Sequence, residues 1–429
     1  LGKNREAVDL LRDFFFAKNL NLRPSAHPSV SNLREIKPIL NPLLLFLVIK
    51  SIQVKKLFYI SIFLLVLFEI ANVYFIMPMP GSQRMNSIDL AYFLNSWRWA
   101  FRIPLILLAA FSFWQAKFTR LWLPLIAVLI WGFVTYQFNF EMTAERMFVQ
   151  PKLDMQTIEK NKVELKRLIL GVSYQGAASA YPIQYLAYHH QVRDVVGGQP
   201  IMVTYCNVCR TGRVFEPKID GQNETFRLVG MDHFNAMFED GHSKSWWRQE
   251  NGEAIAGPLK GKVLPEMPFS QMTLKQWLKY HPNSRIMQPD STYAEEYQHQ
   301  KNYENGNKKG ELTRTDTLSW REKSWVIGIK IGQASKAFDW IELKKKRIIN
   351  AKVGNTPIFI ALALDGKSFT AFERPESVEF HLQNDTLIGG EHLYNWLGKS
   401  FDPEVTDLKK VPAYQEFWHS WKTFHGDAR

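Results

Sequence analysis

"LILGVSYQGAASAYPIQYLAYHHQVRDVVGGQPIMVTYCNVCRTGRVFEP" occupies residues 168–217, and "WVIGIKIGQASKAFDWIELKKKRIINAKVGNTPIFIALALDGKSFTAFER" occupies residues 325–374. Laid on one another they align without a gap. Gly171 meets Gly328, Ala180 meets Ala337, Gly197 and Pro200 meet Gly354 and Pro357, and Phe215 meets Phe372. The closing stretches also correspond: "WLKYHPNSR" from Trp277 resembles "WKTFHGDAR" from Trp421. An internal repeat of this length implies one folding unit used twice. Apolar runs such as Ile201–Tyr205 and Ile358–Leu364, punctuated by "VGGQP", "VGNTP" and "LDGK", predict short strands joined by tight turns. Short helices are predicted over Thr273–Tyr280 and Tyr414–Phe424. The expected organisation is therefore a β-rich (α+β) domain over 150–290, a polar linker over 291–320 and a second, degenerate copy over 321–429.

Upstream the texture changes. "LFYISIFLLVLFEIANVYFIM" (57–77), "WRWAFRIPLILLAAFSFW" (97–114) and "LWLPLIAVLIWGFVTYQF" (121–138) are each apolar and about the length needed to cross a bilayer. Tryptophans near their ends suit interfacial anchoring. Glu69 inside the first stretch requires a partner on another helix. The shorter run "LLLFLVI" (43–49) is expected at the membrane interface. These features predict a three-helix transmembrane anchor over 57–140, preceded by a basic cytoplasmic or interfacial segment over 1–56. The fold class is then N-terminal transmembrane helices followed by two tandem homologous β-rich domains. No cleavable signal peptide is evident near Leu1.

The formal net charge of +12 is compatible with nucleic acid or with anionic lipid. Ten of the Lys and Arg residues fall within the first 56 positions, directly before the apolar stretches. No basic–aromatic nucleic-acid motif is present. The expected partner is thus the lipid bilayer, together with other membrane or exported proteins, and not nucleic acid. Positive charge before the first stretch, and at Lys117 and Arg120 after the second, predicts a multi-pass protein of the cytoplasmic membrane. Everything beyond about residue 140 would then lie outside the cytoplasm.

The repeat separates what the fold needs from what chemistry needs. Cys206 and Cys209, the only two cysteines, correspond to Ala363 and Gly366. His189 and His190 correspond to Lys346 and Arg347. A site is therefore expected in the first copy alone. Two thiolates three apart form half of a tetrahedral metal site, with His189 and His233 as the expected further ligands and copper or zinc as the expected ion. Asp232, Met231 and Met237 lie close in sequence. The alternatives are a thiol–disulfide pair, with Arg210 and Arg213 able to stabilise a thiolate, and a structural disulfide. A non-catalytic subunit of a membrane complex is a further class. Arg193, Arg210 and Arg213 are candidates for an anion site, with Asp194, Trp247 and Gln249 beside them. The residue after Cys209 is not His, so c-type haem attachment is excluded.

The strings "AYPIQYLAYHH", "RDVVGGQPIMVTYCNVCRTG" and "SWWRQENGEAIAGPLKGKVL" resemble the domain of unknown function family 3179, found in membrane-linked and exported proteins. The resemblance places family positions at His189, Asp194, Cys206, Cys209, Trp247, Gln249, Gly252 and Gly257. Two positions depart from the family pattern: Arg210 stands for the usual Gly and Arg193 for the usual Asn. The family implies no established activity.

Overall fold

The computed structural model describes residues 42–429, with side chains from residue 53. The basic segment expected over 1–56 thus lies largely outside the described residues. Helix α1 (Pro42–Tyr74) runs unbroken through the stretch expected at the interface. It is followed by α2 (Ile88–Ser96), α3 (Arg98–Gln115) and α4 (Trp122–Tyr136), the last continuing as a π turn to Glu141.

Two helices among the described residues are long and apolar enough to cross a membrane. They are Gln53–Tyr74, 22 residues of mean hydropathy 2.0, and Trp122–Glu141, 20 residues of mean hydropathy 1.5. The middle stretch, expected as a third span, is not one of them. Helix α3 opens on Arg98, carries Arg102 and contains Pro104. Its outer face is nonetheless apolar, with Leu107 63% and Trp114 82% exposed. Leu129 and Phe133 on α4 are each 62% exposed. Glu69 finds the partner its position demands. Arg102 donates to both its carboxylate oxygens at 2.8 and 2.6 Å, and Asn139 donates to it at 2.8 Å. One buried ion pair thus ties together α1, α3 and the turn after α4.

The rest of the chain is built of small sheets. Strand β1 (Leu168–Tyr174) pairs antiparallel with β2 (Ala177–Pro182), and helix α5 (Ile183–His189) follows. Strands β3 (Gln191–Val196), β4 (Gln199–Cys206) and β5 (Thr211–Phe215) make an antiparallel meander. Strands β6 (Phe226–Asp232), β7 (Asn235–Asp240), β8 (Trp246–Arg248) and β9 (Ala254–Ala256) make a second antiparallel sheet. Strand β10 (Ser270–Thr273) returns beside β1, and α6 (Leu274–Tyr280) closes the unit, capped by the Thr273 side chain. β11 (Arg285–Met287) pairs in parallel with β2.

A similar element order follows later, with three strands instead of four in its second sheet. It comprises β12 (Trp325–Ile331), β13 (Ala334–Asp339), α8 (Trp340–Lys346), β14 (Ile348–Val353), β15 (Thr356–Leu362) and β16 (Phe369–Glu373). Then come β17 (Phe380–Gln383), β18 (Thr386–Gly389), β19 (His392–Tyr394), β20 (Ala413–Phe417) and α9 (Trp418–His425). β10 lies on β1 as β20 lies on β12. Glycine explains why two positions are shared. A Cβ on Gly171 would come within 2.5 Å of the Trp277 ring, and one on Gly328 within 2.0 Å of the Trp421 ring. Each closing helix lays its indole flat on the first strand, and only a hydrogen fits between.

The two units are not beads on a string. One hydrophobic core runs through both and includes Ile201, Trp277, Phe359, Phe372 and Trp396. The polar segment over 291–320, expected as a linker, is packed. It carries helix α7 (Ala294–His299), and Tyr297 and Tyr303 are buried in that core. Its scarcity of aliphatics is offset by tyrosines, whose rings pack while their hydroxyls keep partners. The N-terminal helices are not a separate body either. Val73, Ile76 and Met77 share a core with Met237, Trp246 and Ala256. The Met231 N–H donates to the Ile76 carbonyl at 2.7 Å.

Candidate functional site

The thiols sit where a strand ends in a tight turn. Cys206 is the last residue of β4, facing Thr211 of β5. The turn 207–210 between them needs a left-handed residue, and Arg210 takes it at φ 59°. That is the conformation glycine adopts most cheaply. The strain is offset by the side chain, whose guanidinium lies 3.5 Å from the Trp325 ring centre. It also donates to Gln415 and to the carbonyls of Tyr303 and Glu304. Gln249 braces the turn from behind. It donates to Thr204 Oγ1 and the Thr211 carbonyl and accepts from Asn235. Trp247 packs in the same small core as both cysteines, its indole N–H bonded to Asp240.

Both cysteines are free and fully buried. Their Sγ atoms converge on one acceptor, the Phe234 carbonyl, at 3.4 Å from Cys206 and 3.3 Å from Cys209. Burial pushes the Cys206 thiol up. Hydrogen bonds from the Cys209 thiol and from the backbone N–H groups of Cys209, Ala236 and Val208 outweigh it and hold Cys206 below the usual thiol range. Burial, the Cys206 hydrogen bond and the Cys206 charge push Cys209 well above that range. Two adjacent anions facing a carbonyl oxygen would repel, so the pair keeps one proton. The two thiols are thus unequal, Cys206 being the more readily ionised and Cys209 the less.

The nearest cation comes from the later unit. Lys323 is buried, and its Nζ lies 2.8 Å from the Val208 carbonyl and 2.9 Å from His419 Nε2. Burial lowers it to about 8, against the opposing pull of the two thiols. Burial and the Lys323 charge lower His419 to about 3, so its ring is neutral. The Phe417 N–H donates to the Cys209 carbonyl at 2.9 Å. The later unit thus supplies one wall of the site. The repeat places a site in the first copy alone, because the later copy lacks cysteines, yet Lys323 and His419 of that later copy border the thiols. The only sequence signal was "FWHSWKTFH" (417–425), a histidine among aromatics on the closing helix.

The roof is the two-residue turn His233–Phe234 between β6 and β7. Both residues have positive φ, 50° and 67°. Asn384 and Asp385 hold the corresponding turn between β17 and β18, at 47° and 62°. Asn and Asp tolerate such angles, whereas a bulky aromatic rarely does. The loop after α1 pins this strained turn. Gln83 Oε1 accepts from the Phe234 N–H at 3.0 Å, and Asn86 Oδ1 lies 3.0 Å from His233 Nε2. A cleft of about 300 Å³ opens outside it, between the loop after α1 and residues 311–323 and 419–423.

The expected metal ligands are not brought together. His189 is bonded to the Val149 carbonyl and, at 2.7 Å, to the Tyr297 hydroxyl, so both ring nitrogens are engaged away from the thiols. His190 bonds the Tyr205 carbonyl. His233 lines the cleft, but its nitrogens are held by Asp232 and Asn86. No group of three or more His, Cys, Asp or Glu side chains among the described residues is arranged to hold an ion.

The arginines do not form an anion site. Arg213 is locked in a buried network with Glu250 and Glu416, its guanidinium lying 3.5 Å from the Tyr414 ring centre. Arg193 is exposed. Asp194 is structural, accepting from the Tyr181 hydroxyl at 2.7 Å and from Arg285.

A family model described as "Protein of unknown function (DUF3179)" matches residues 149–428. Comparison with curated proteins and with solved structures gives no match.

Proposed function

The chain belongs to the DUF3179 family, and for this member we propose a thiol–disulfide function: Cys206 and Cys209 cycle between a thiol–thiolate pair and a disulfide. The carrying observation is the asymmetric pair itself. Two free thiols share one carbonyl, backbone N–H groups converge on Cys206, and a buried ammonium stands beside them. A lowered thiol beside a raised one is the arrangement in which one sulfur attacks and the other resolves. The test is alkylation trapping over a redox titration. A reversible two-electron transition that disappears in Cys206→Ser supports the proposal. A pair that stays reduced at all potentials refutes it.

Copper or zinc binding at the same thiols is the second reading. His419 favours it, because burial keeps that imidazole in the neutral form a metal takes. Lys323, bonded to the same nitrogen, opposes it. Anaerobic purification followed by elemental analysis decides: one copper or zinc per chain, lost in Cys206→Ser/Cys209→Ser, favours metal.

The later unit is, in this reading, a duplicate of the first that lost its thiols and became a wall of the retained site. The recurring element order and the paired Gly–Trp contacts support it. Helix α3 is less apolar than α1 and α4, but its Arg102 is paired with Glu69 and its outer face is apolar, so all three are read as crossing the cytoplasmic membrane, with the β-rich region outside, where disulfides persist. The outward apolar side chains of α3 and α4 and the Glu69–Arg102 pair support the embedding. A cysteine engineered near residue 300 that reacts with an impermeant reagent only after lysis would reverse the orientation.

A further inference from the structure

A thiolate that cycles needs a co-reactant, and the surroundings of this one are selective. Both sulfurs are 0% exposed. They lie one layer beneath the cleft, roofed by Phe234 and His419, whose rings meet edge to face at 6.1 Å. A disulfide on the convex surface of a folded protein cannot pass such a rim. A cleft of about 300 Å³ is at the small end of ligand sites. Its mouth carries charges of both signs. Arg84, Glu311 and Glu322 are exposed and line the cleft, and their side chains make no ion pair or hydrogen bond among the described residues. Arg314 is already paired with Asp316, and Lys323 is turned inward to Val208 and His419. Free charges of opposite sign around a small opening suit a ligand that carries both an ammonium and a carboxylate.

We propose that this cleft admits a low-molecular-weight disulfide of zwitterionic, amino-acid-like character, held at its carboxylate by Arg84 and at its ammonium by Glu311 and Glu322. This rests on the thiol–disulfide reading above. When the Phe234 turn lifts, the Cys206 thiolate attacks one sulfur of the bound disulfide. A mixed disulfide forms and one small thiolate leaves, taking a proton from solvent. Cys209 gives its proton to water admitted by the lifted turn and attacks the Cys206 sulfur. The Cys206–Cys209 disulfide closes and the second small thiolate departs. Two electrons pass from the protein to the ligand, which leaves as two thiols. Run backwards, the same steps reduce the protein.

The experiment uses the reduced full chain in detergent, with L-cystine as the zwitterionic probe and bis(2-hydroxyethyl) disulfide as the neutral one. Each rate is divided by that of the same disulfide with dithiothreitol, to remove intrinsic reactivity. The expected result is a normalised preference for cystine of tenfold or more, falling below threefold in Arg84→Ala/Glu322→Ala. A preference near one, or one that survives the double substitution, overturns the inference. Diamide serves as a charge-neutral oxidant that needs no recognition. If it closes the Cys206–Cys209 disulfide while cystine shows no preference, only the zwitterion site falls. If diamide also fails to close it, the thiol–disulfide reading falls with it.

Discussion

Replacing Gln83 by alanine separates the hold of the loop after α1 on the thiol roof from mere packing. Gln83 is 4% exposed. Its Oε1 accepts the Phe234 N–H at 3.0 Å, and its Nε2 donates to the carbonyls of Phe75 at 3.1 Å and Met77 at 3.2 Å. Met77 keeps the Ser82 hydroxyl as a donor, at 2.6 Å, so its carbonyl is not orphaned. The Phe234 N–H is, because it has no other acceptor among the described residues. An orphaned, partly buried donor costs about 1–3 kcal/mol. That cost falls on the closed form of the turn and not on the open form, where water satisfies the group. At about 1.4 kcal/mol per factor of ten, the open population should rise roughly 5- to 150-fold. If alkylation of the native thiols proceeds through opening, the observed rate rises by the same factor. The assay is iodoacetamide labelling of native, reduced protein, with unfolding midpoints measured in parallel. A rate within twofold of the parent protein, at an unchanged midpoint, would refute the claim that the loop after α1 holds the roof shut.

Gly171→Ala and Gly328→Ala each drive a methyl group into an indole, and should each lower stability by about 1–3 kcal/mol or more, read as a shift in denaturation midpoint. Glu69→Gln leaves Arg102 as an uncompensated buried charge and should cost about 3–5 kcal/mol, whereas Glu69→Leu/Arg102→Leu should cost far less; thermal unfolding in detergent reads the difference. Burial holds His189 and His190 at about 4, below the ordinary value of 6.5. The unfolded chain therefore binds more protons between those limits, and stability is lost as pH falls from 6.5 towards 4, by up to about 3 kcal/mol for each ring. A flat melting profile over that window would contradict the neutral, buried assignment. Lys323→Met removes the ammonium beside the thiols, and should raise the pH at which the pair is half alkylated in the opened protein; an unchanged profile would show that Lys323 does not stabilise the thiolate.

The sequence carried many of the strands and turns and the two closing helices, because each is written locally in apolar runs that end at glycine or proline, but residues 414–417, expected to open the second helix, form strand β20. It also carried the thiols and the need for a partner to Glu69. It misjudged residues 291–320, since tyrosine-rich polar stretches look solvated until a core is seen to take the rings. His189 and His190 stand close to the cysteines in sequence, but their rings are drawn into bonds with Val149, Tyr297 and Tyr205. Lys323 and His419 had no such proximity to recommend them, being over a hundred residues away.

By itself, then, the chain determined where structure would form and which two atoms were chemically soft, since backbone preference and side-chain type are properties of short segments. Which groups surround those atoms was decided by docking: β20 and α9 against the Cys209 turn, and the loop after α1 against the Phe234 turn. Burial and electrostatics act through space over a few ångströms, and the order of residues along a chain does not fix those distances until the chain has closed upon itself.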